Sequence, residues 1–401
     1  MQNKKGYQHT TLGWIPEDWE VLKLNDIVKL ISGQHLSAND INTTGEGTPY
    51  FTGPTDIVND SSKITKWTTS KTQKARTNDI LIVVKGSGVG QLFMHELNET
   101  IGLGRQLMGI SYTPSLYLFY YLQTKLYYLR ALSMGNMIPG LSRNDILSLD
   151  FVAPPLPEQT RIADCLSTWD TAIQSLRGLI EQKQQQKKWL MQQLLTGKKR
   201  LKGFEGKWKE CKLNDVIKRV TTKNTELNDN VVTISAQRGF VRQEEFFNKR
   251  VASETLSGYY LIQKGDFAYN KSYSNGYPMG AFKRLDILDK AVVTTLYICF
   301  RPKNNVDADF LKYYFDGGQM VNGLMRIAQE GGRAHGLLNI SLPDFFNLPL
   351  ILPSKEEQTA IAQVLQCADT ELELLQQQLA GLEEQKKGLM QLLLTGEKRL
   401  V

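Results

Sequence analysis

The residues with the clearest chemical potential stand at the end of a strand-like run. ILIVVK at 80–85 delivers Lys85 into the glycine-rich stretch GSGVG at 86–90. Such a loop cradles a phosphate when it opens a helix and an acidic residue follows about 20 positions on. Here Gln91, Leu92, Phe93 and Met94 read as another strand, and Asn98 and Gly102 break any helix. GSGVG is therefore a turn between strands, and no cofactor is expected on it. NKSYSNGYPMGA at 270–281 is its counterpart later in the chain, with glycines but no fingerprint. These loops carry Lys85, Ser87, Lys271, Tyr273 and Asn275, whose ammonium, hydroxyl and amide groups suit phosphates and base edges.

Other chemistry is hard to find. There is no Walker lysine loop, no Asn/Asp-Pro-Pro-aromatic motif of amino-methylating enzymes and no nuclease carboxylate set. His95-Glu96-Leu97 lacks the second histidine of a zinc peptidase. Cys165, Cys211, Cys299 and Cys367 show no CxxC spacing, which argues against structural zinc or a disulfide framework and favours a reducing cytoplasm. The four histidines are equally dispersed, so no metal is expected. No apolar run approaches the roughly 18 residues of a membrane span, and MQNKKGYQHTT lacks the apolar stretch of a secretion signal. A non-catalytic chain is expected. Its net charge of +7 is a weak pointer to nucleic acid.

The elements that must position these loops come from a duplication. Sliding the sequence by 199 lays Glu158-Gln159-Thr160 on Glu357-Gln358-Thr359 without a gap. The match runs through Asp170/Asp369 and Lys187/Lys386 to Thr196-Gly197/Thr395-Gly396 and Arg200-Leu201/Arg399-Leu400, with roughly half the positions identical. A shift of 189 pairs Trp19 with Trp208 and the two KLND segments at 23–26 and 212–215. The chain divides into globular domains at 1–155 and 202–352, each followed by a helical tail, 156–201 and 353–401.

Each tail is predicted to be one long helix. Ile162, Leu166, Trp169, Ile173, Leu176 and Ile180 recur at steps of four and three. So do Ile361, Leu365, Ala368, Leu372, Leu375, Leu379 and Leu382, with Leu389 and Leu393 in the same phase. That heptad seam calls for a partner helix. Pro157 suits a first turn, Ser354 with Glu357 reads as a capping box, and Gly197 and Gly396 supply the stops. From Glu158 to Leu201 there are eight basic and four acidic residues; from Glu357 to Val401 there are four basic and seven acidic. Opposite charge suits mutual pairing, most simply antiparallel, about a pseudo-two-fold axis. The globular domains read as α/β or α+β. Strand-like runs lie at 80–85, 231–235 and 291–300, and helical runs at 115–132 and 307–315. Similar frames with divergent interiors suggest two sites of like geometry and different specificity.

PLPEQTRIADCL at 155–166, SKEEQTAIAQVL at 354–365 and the two LLTGxKRL endings resemble the specificity subunit of type I restriction–modification systems. So do the domain openings WEVLKLNDI at 19–27 and WKECKLNDV at 208–216. Ser142, Asp145, Leu149 and Pro154 also superimpose on Ser341, Asp344, Leu348 and Pro353. The resemblance covers essentially the whole chain. It implies two target recognition domains, each reading half of a split double-stranded DNA site in the major groove, on an antiparallel coiled coil that sets their spacing. It further implies two methyltransferase subunits, which hold S-adenosylmethionine and methylate adenine N6, and two restriction subunits where present, which use ATP and magnesium. No cofactor is expected in this chain, and no membrane.

By residue type and loop position, the DNA-reading candidates in the first domain are Gln34, Tyr50, Lys85, Ser87, Arg105, Gln106 and Asn136. In the second they are Lys223, Arg238, Lys271, Tyr273, Asn275, Arg333 and His335. Arg and Lys suit guanine, and Asn and Gln suit adenine. Arg333 and His335 in EGGRAHG, and Asn136 in the equivalent MGNMIPG, are the favoured positions. The competing readings are a coiled-coil adaptor without DNA readout, a self-sufficient DNA enzyme, and a subunit of a methylation-only or type II-like assembly. Residues 1–157 carry fourteen basic and thirteen acidic residues, against twenty-two and seventeen for 202–356. The first domain is thus expected to owe much of its phosphate attraction to partner subunits.

Overall fold

The computed structural model describes residues 5–134, 140–247, 255–328 and 338–400. The chain packs as two compact units, Met1–Arg177 with Gln377–Val401, and Gly178–Gln376. The 39-residue helix Leu156–Leu194 and the 40-residue helix Lys355–Leu394 each contribute to both units. At 1.5 Å per residue, each is about 60 Å long.

In the first unit, Lys29–Ser32, Leu107–Ser111, Ile80–Val83 and Leu92–Met94 form one antiparallel sheet in that order. A second sheet orders Trp67–Thr68, Thr48–Phe51, Ile101–Leu103 and Lys74–Ala75, its middle pair parallel. The run ILIVV is apolar throughout because its strand is buried on both faces. Ile80 and Ile82 point with Val84 into a core shared with helix Ser115–Thr124 and the long helices, while Leu81 and Val83 point into a core shared with Phe51, Ile101 and Leu103. Period-two alternation sends successive side chains to opposite faces.

The second unit repeats the first of these sheets in the same order: Ile217–Arg219, Ile298–Pro302, Phe267–Asn270 and Ala281–Arg284. Phe267 and Tyr269 again face the helical core, where Phe267 stacks with Phe300 and meets Phe315 edge-on and Tyr269 stacks with Phe282 and Phe345, while Ala268 faces the other. Beyond this sheet the two units differ. The second has the hairpin Val232–Ser235/Gly239–Arg242 and the pair Tyr260–Gln263/Lys290–Val293 in place of a four-stranded sheet.

Two sequence expectations are corrected here. The run 291–300 is not one strand. It breaks at Thr294–Tyr297, where the Leu296 N–H bonds the Thr294 hydroxyl, and its halves join different sheets. The helical run from 115 breaks at Lys125 into Ser115–Thr124 and Leu126–Ser133.

The helix pair is antiparallel in each unit. Arg177 meets Glu383 and Asp170 meets Lys386 in the first; Lys183 meets Glu371 and Lys187 meets Asp369 in the second. Ile162, Leu166, Ile173, Leu176 and Ile180 are buried along the seam, as are Ile361 and Leu365. Trp169, Ala368, Leu372, Leu375, Leu379 and Leu382 are half-buried. Gly197 and Gly396 end the helical segments at φ 68° and 73°, as the left-handed C-terminal cap requires.

Candidate nucleic-acid interface

The repeated motifs EQT and TGxKRL hold each globular domain to the helices. In the first unit Arg399 spans Glu158, at 2.7 Å through both Nε and Nη2, and Asp18 at 2.8 Å. The Trp19 indole donates to the same Glu158 carboxylate at 3.1 Å. In the second unit Arg200 bonds Glu357 at 2.5 and 2.6 Å and lies over the Trp208 ring. Burial raises the carboxyl affinity of Glu158 for a proton, but the bonds from Arg399 and Trp19 outweigh it and leave the pKa below normal. Gln159 and Gln358 each donate to the carbonyl five residues back, Pro154 and Pro353, fixing the entry of the chain into the helix. The expected capping box at Ser354 is only half present. The Ser354 hydroxyl accepts from the Glu357 N–H at 3.4 Å, but the Glu357 carboxylate is committed to Arg200. The missing half went to the stronger, bidentate partner. Full boxes occur instead at Ser142/Asp145, where backbone N–H bonds run both ways.

On this frame, most first-domain candidates gather at one end of the strands of the first sheet. The Gln34 N–H bonds the Leu103 carbonyl, and the Val84 N–H bonds that of Gln106. Lys85 forms an isolated bridge with Gly140. Gly33 passes so close to Gly104 that a Cβ would stand 2.1 Å from its carbonyl oxygen, and a Cβ on Gly53 would meet the Gln106 side chain at 2.1 Å. Lys85, Ser87 and Arg105 are exposed, and Gln34 and Gln106 are half-buried. Tyr50 is different. It is 2% exposed, and its hydroxyl donates to the Gln34 carbonyl at 2.7 Å. Its place is inside, supporting the Gln34 segment. GSGVG is the turn between antiparallel strands that its sequence predicts, with Gly86 and Gly90 at φ 91° and 86°. Asn136 lies outside the described residues, between Met134 and Gly140.

The second domain gathers its candidates at the matching end of the matching strand. Lys271 follows strand Phe267–Asn270, and its carbonyl accepts from the Leu338 N–H at 3.0 Å. Gln237, beside Arg238, donates to the Asn275 carbonyl at 3.1 Å. Arg238 and Asn275 are exposed, as is Tyr273 at 63%. Lys223 is engaged elsewhere, bonding the Gly258 carbonyl and lying over Tyr260. Arg333 and His335 lie outside the described residues, directly before Leu338. The contacts therefore join the loop after Ile80–Val83 to the segment before the short capped helix Arg143–Leu147, and the loop after Phe267–Asn270 to the segment before its counterpart Leu342–Phe346.

Sequence reasoning missed the Trp–Glu–Arg clasps, although Trp19/Trp208, Glu158/Glu357 and Arg200/Arg399 were all visible as identities of the repeat. It also missed Tyr120 and Tyr313, which donate at 2.6 Å to Asp170 and Asp369.

The family described as type I restriction modification DNA specificity domain matches residues 16–184 and again 205–384. The type I restriction enzyme MjaVIII specificity subunit of Methanocaldococcus jannaschii is 28% identical, over 96% of this chain and 94% of its own. The EcoDI specificity subunit of Escherichia coli is 26% identical over 46% of this chain and 38% of its own. Among solved structures, the S subunit of the type I system from M. genitalium superposes with a TM-score of 0.55 at 15% identity, covering 98% of both chains. A chain from a structure of the type I system's complex assembly gives 0.56 at 14%, covering 96% of this chain and 99% of its own. These likenesses show the fold.

Proposed function

The chain belongs to the type I restriction–modification DNA specificity family and is a specificity subunit of such a system, and we propose on that premise that each globular domain reads one half of a split target in double-stranded DNA. The single observation that carries this reading is the pairing of frame and loops. The same four-strand sheet recurs, and polar loops gather at the same strand end of each copy, yet the loops share almost no residues. Lys85, Ser87, Gln34, Arg105 and Gln106 would form one reading edge, and Lys271, Tyr273, Asn275 and Arg238 the other. Phosphate contacts would position the duplex, and amide and guanidinium groups would select bases.

On this proposal the paired helices carry two methyltransferase subunits in the cytoplasm, joined where present by two restriction subunits. S-adenosylmethionine then belongs to the former, and ATP and magnesium to the latter. The chain itself supplies no reacting group and acts by placing DNA.

Mapping methylated adenine across the genome, with the chain present and then deleted, tests the reading. It predicts loss of one split motif bearing methyladenine in both halves. An unchanged map in a cell that makes the assembled complex would overturn it.

A further inference from the structure

The heptad seam contains charges that its apolar role does not explain. Counting on from Ile180 by three and four brings Lys183 and Lys187 into seam positions, and counting on from Leu382 by four brings Lys386. Lys187 and Lys386 are equivalent under the repeat, as are Asp170 and Asp369. The helix pair crosses them over. In the first unit Lys386 bonds Asp170 at 2.5 Å, and the Tyr120 hydroxyl donates to the same carboxylate at 2.6 Å. In the second unit Lys187 bonds Asp369, and the Tyr313 hydroxyl donates to it at 2.6 Å. Each lysine also lies over the ring of that tyrosine, at 5.0 and 5.8 Å.

Each triad thus ties three elements with one carboxylate: a long helix, the opposing long helix, and a helix of the globular domain, Ser115–Thr124 in the first unit and Ala308–Asp316 in the second. The pairs are enclosed at the lysine end only, since Asp170 and Asp369 stay 45% and 40% exposed. The lysine side chains are 12% and 25% exposed, against 63% for Arg177 in the neighbouring pair with Glu383. An apolar heptad seam fits nearly as well after a slip of seven residues, whereas a charge in the seam has one partner. Polar seam residues accordingly set register at some cost in stability.

We infer that the Tyr120–Asp170–Lys386 and Tyr313–Asp369–Lys187 triads are register keys, positioning residues that fix which turns of the two helices face each other and hence the target spacing the subunit accepts. The last step rests on the DNA reading proposed above; the register itself does not. One heptad of slip carries about 10 Å of axial travel, on the order of three base-pair steps of 3.4 Å.

The test uses the full chain with Cys367→Ser and spin labels on cysteines replacing Gln184 and Gln376, both exposed and both in the second unit. The unaltered seam should give one narrow distance. K187L with K386L should keep or raise the melting temperature while a second distance appears, displaced by about 10 Å for one heptad. The fourfold exchange D170K, K386D, D369K and K187D should restore a single distance, and it decides the matter alone if the leucine variant aggregates. One unchanged distance in the leucine variant, or two in the exchanged one, overturns the inference. The assembled complex should in parallel tolerate split sites lengthened or shortened by about three base pairs. A shifted label distance with no binding to any split site would leave the register keys standing and remove the DNA reading instead.

Discussion

At the scale of single residues, the two clasps differ in a way that stability can read. The Trp19 indole donates to Glu158, whereas the Trp208 Nε1 is buried and has no acceptor among the described residues. A hydrogen bond to a charged group is worth roughly 1.5–3 kcal/mol, while removing an unpartnered donor is close to neutral. Trp19→Phe should therefore cost about 1–3 kcal/mol more than Trp208→Phe in denaturant unfolding; equal costs would remove the bond from the account. His95 supplies a pH signature. Its ring is 2% exposed and its Nε2 lies 2.8 Å from the Glu99 carbonyl; burial holds its pKa below the ordinary 6.5. The unfolded chain then binds the proton first, so stability is full above about 6.5 and falls as the pH drops through the window below it. His95→Gln should flatten that window in unfolding measurements, and an unchanged slope there would contradict the assignment. Lys85→Ala should weaken DNA binding by the assembled complex and lower its salt slope by about one. A changed sequence preference with an unchanged slope would make Lys85 a base reader instead.

At the scale of elements, the helix stops give a sharp comparison. Gly396 and Gly197 are equivalent, but a Cβ on Gly396 would stand 2.4 Å from Pro16, while one on Gly197 would meet Trp208 at 3.3 Å. Both also need φ > 0. Gly396→Ala should therefore destabilise its unit by more than the roughly 1 kcal/mol of backbone strain that Gly197→Ala incurs; equal losses would mean that Pro16 yields. The long helices, their stops and their antiparallel pairing were legible because a heptad seam and a left-handed glycine are local, periodic signals. The sheet order was not, since nothing in ILIVV says which strand will lie beside it. The run 291–300 misled for a related reason. β-branched residues filled its turn as well as its strands, and the Thr294 side chain that breaks it acts through one local hydrogen bond. The loops were legible as polar and glycine-rich. Tyr50 shows where that failed, since an aromatic residue with a hydroxyl reads the same whether it faces DNA or props a backbone carbonyl.

At the scale of the whole molecule, duplication accounts for most of what the sequence displays. A frame that must hold a helix pair keeps its Trp, Glu, Gln, Gly and Arg twice, because its contacts are made twice, the Trp19 bond to Glu158 excepted. Loops that, on the proposed reading, meet different half-sites are under no such constraint and diverge. Exchanging residues 202–352 for the matching segment of another family member, followed by genome-wide mapping of methyladenine, tests this division most directly. One half of the split motif is expected to change while the other half stays. A map in which both halves change together, or in which neither changes although the hybrid complex methylates DNA, would contradict it.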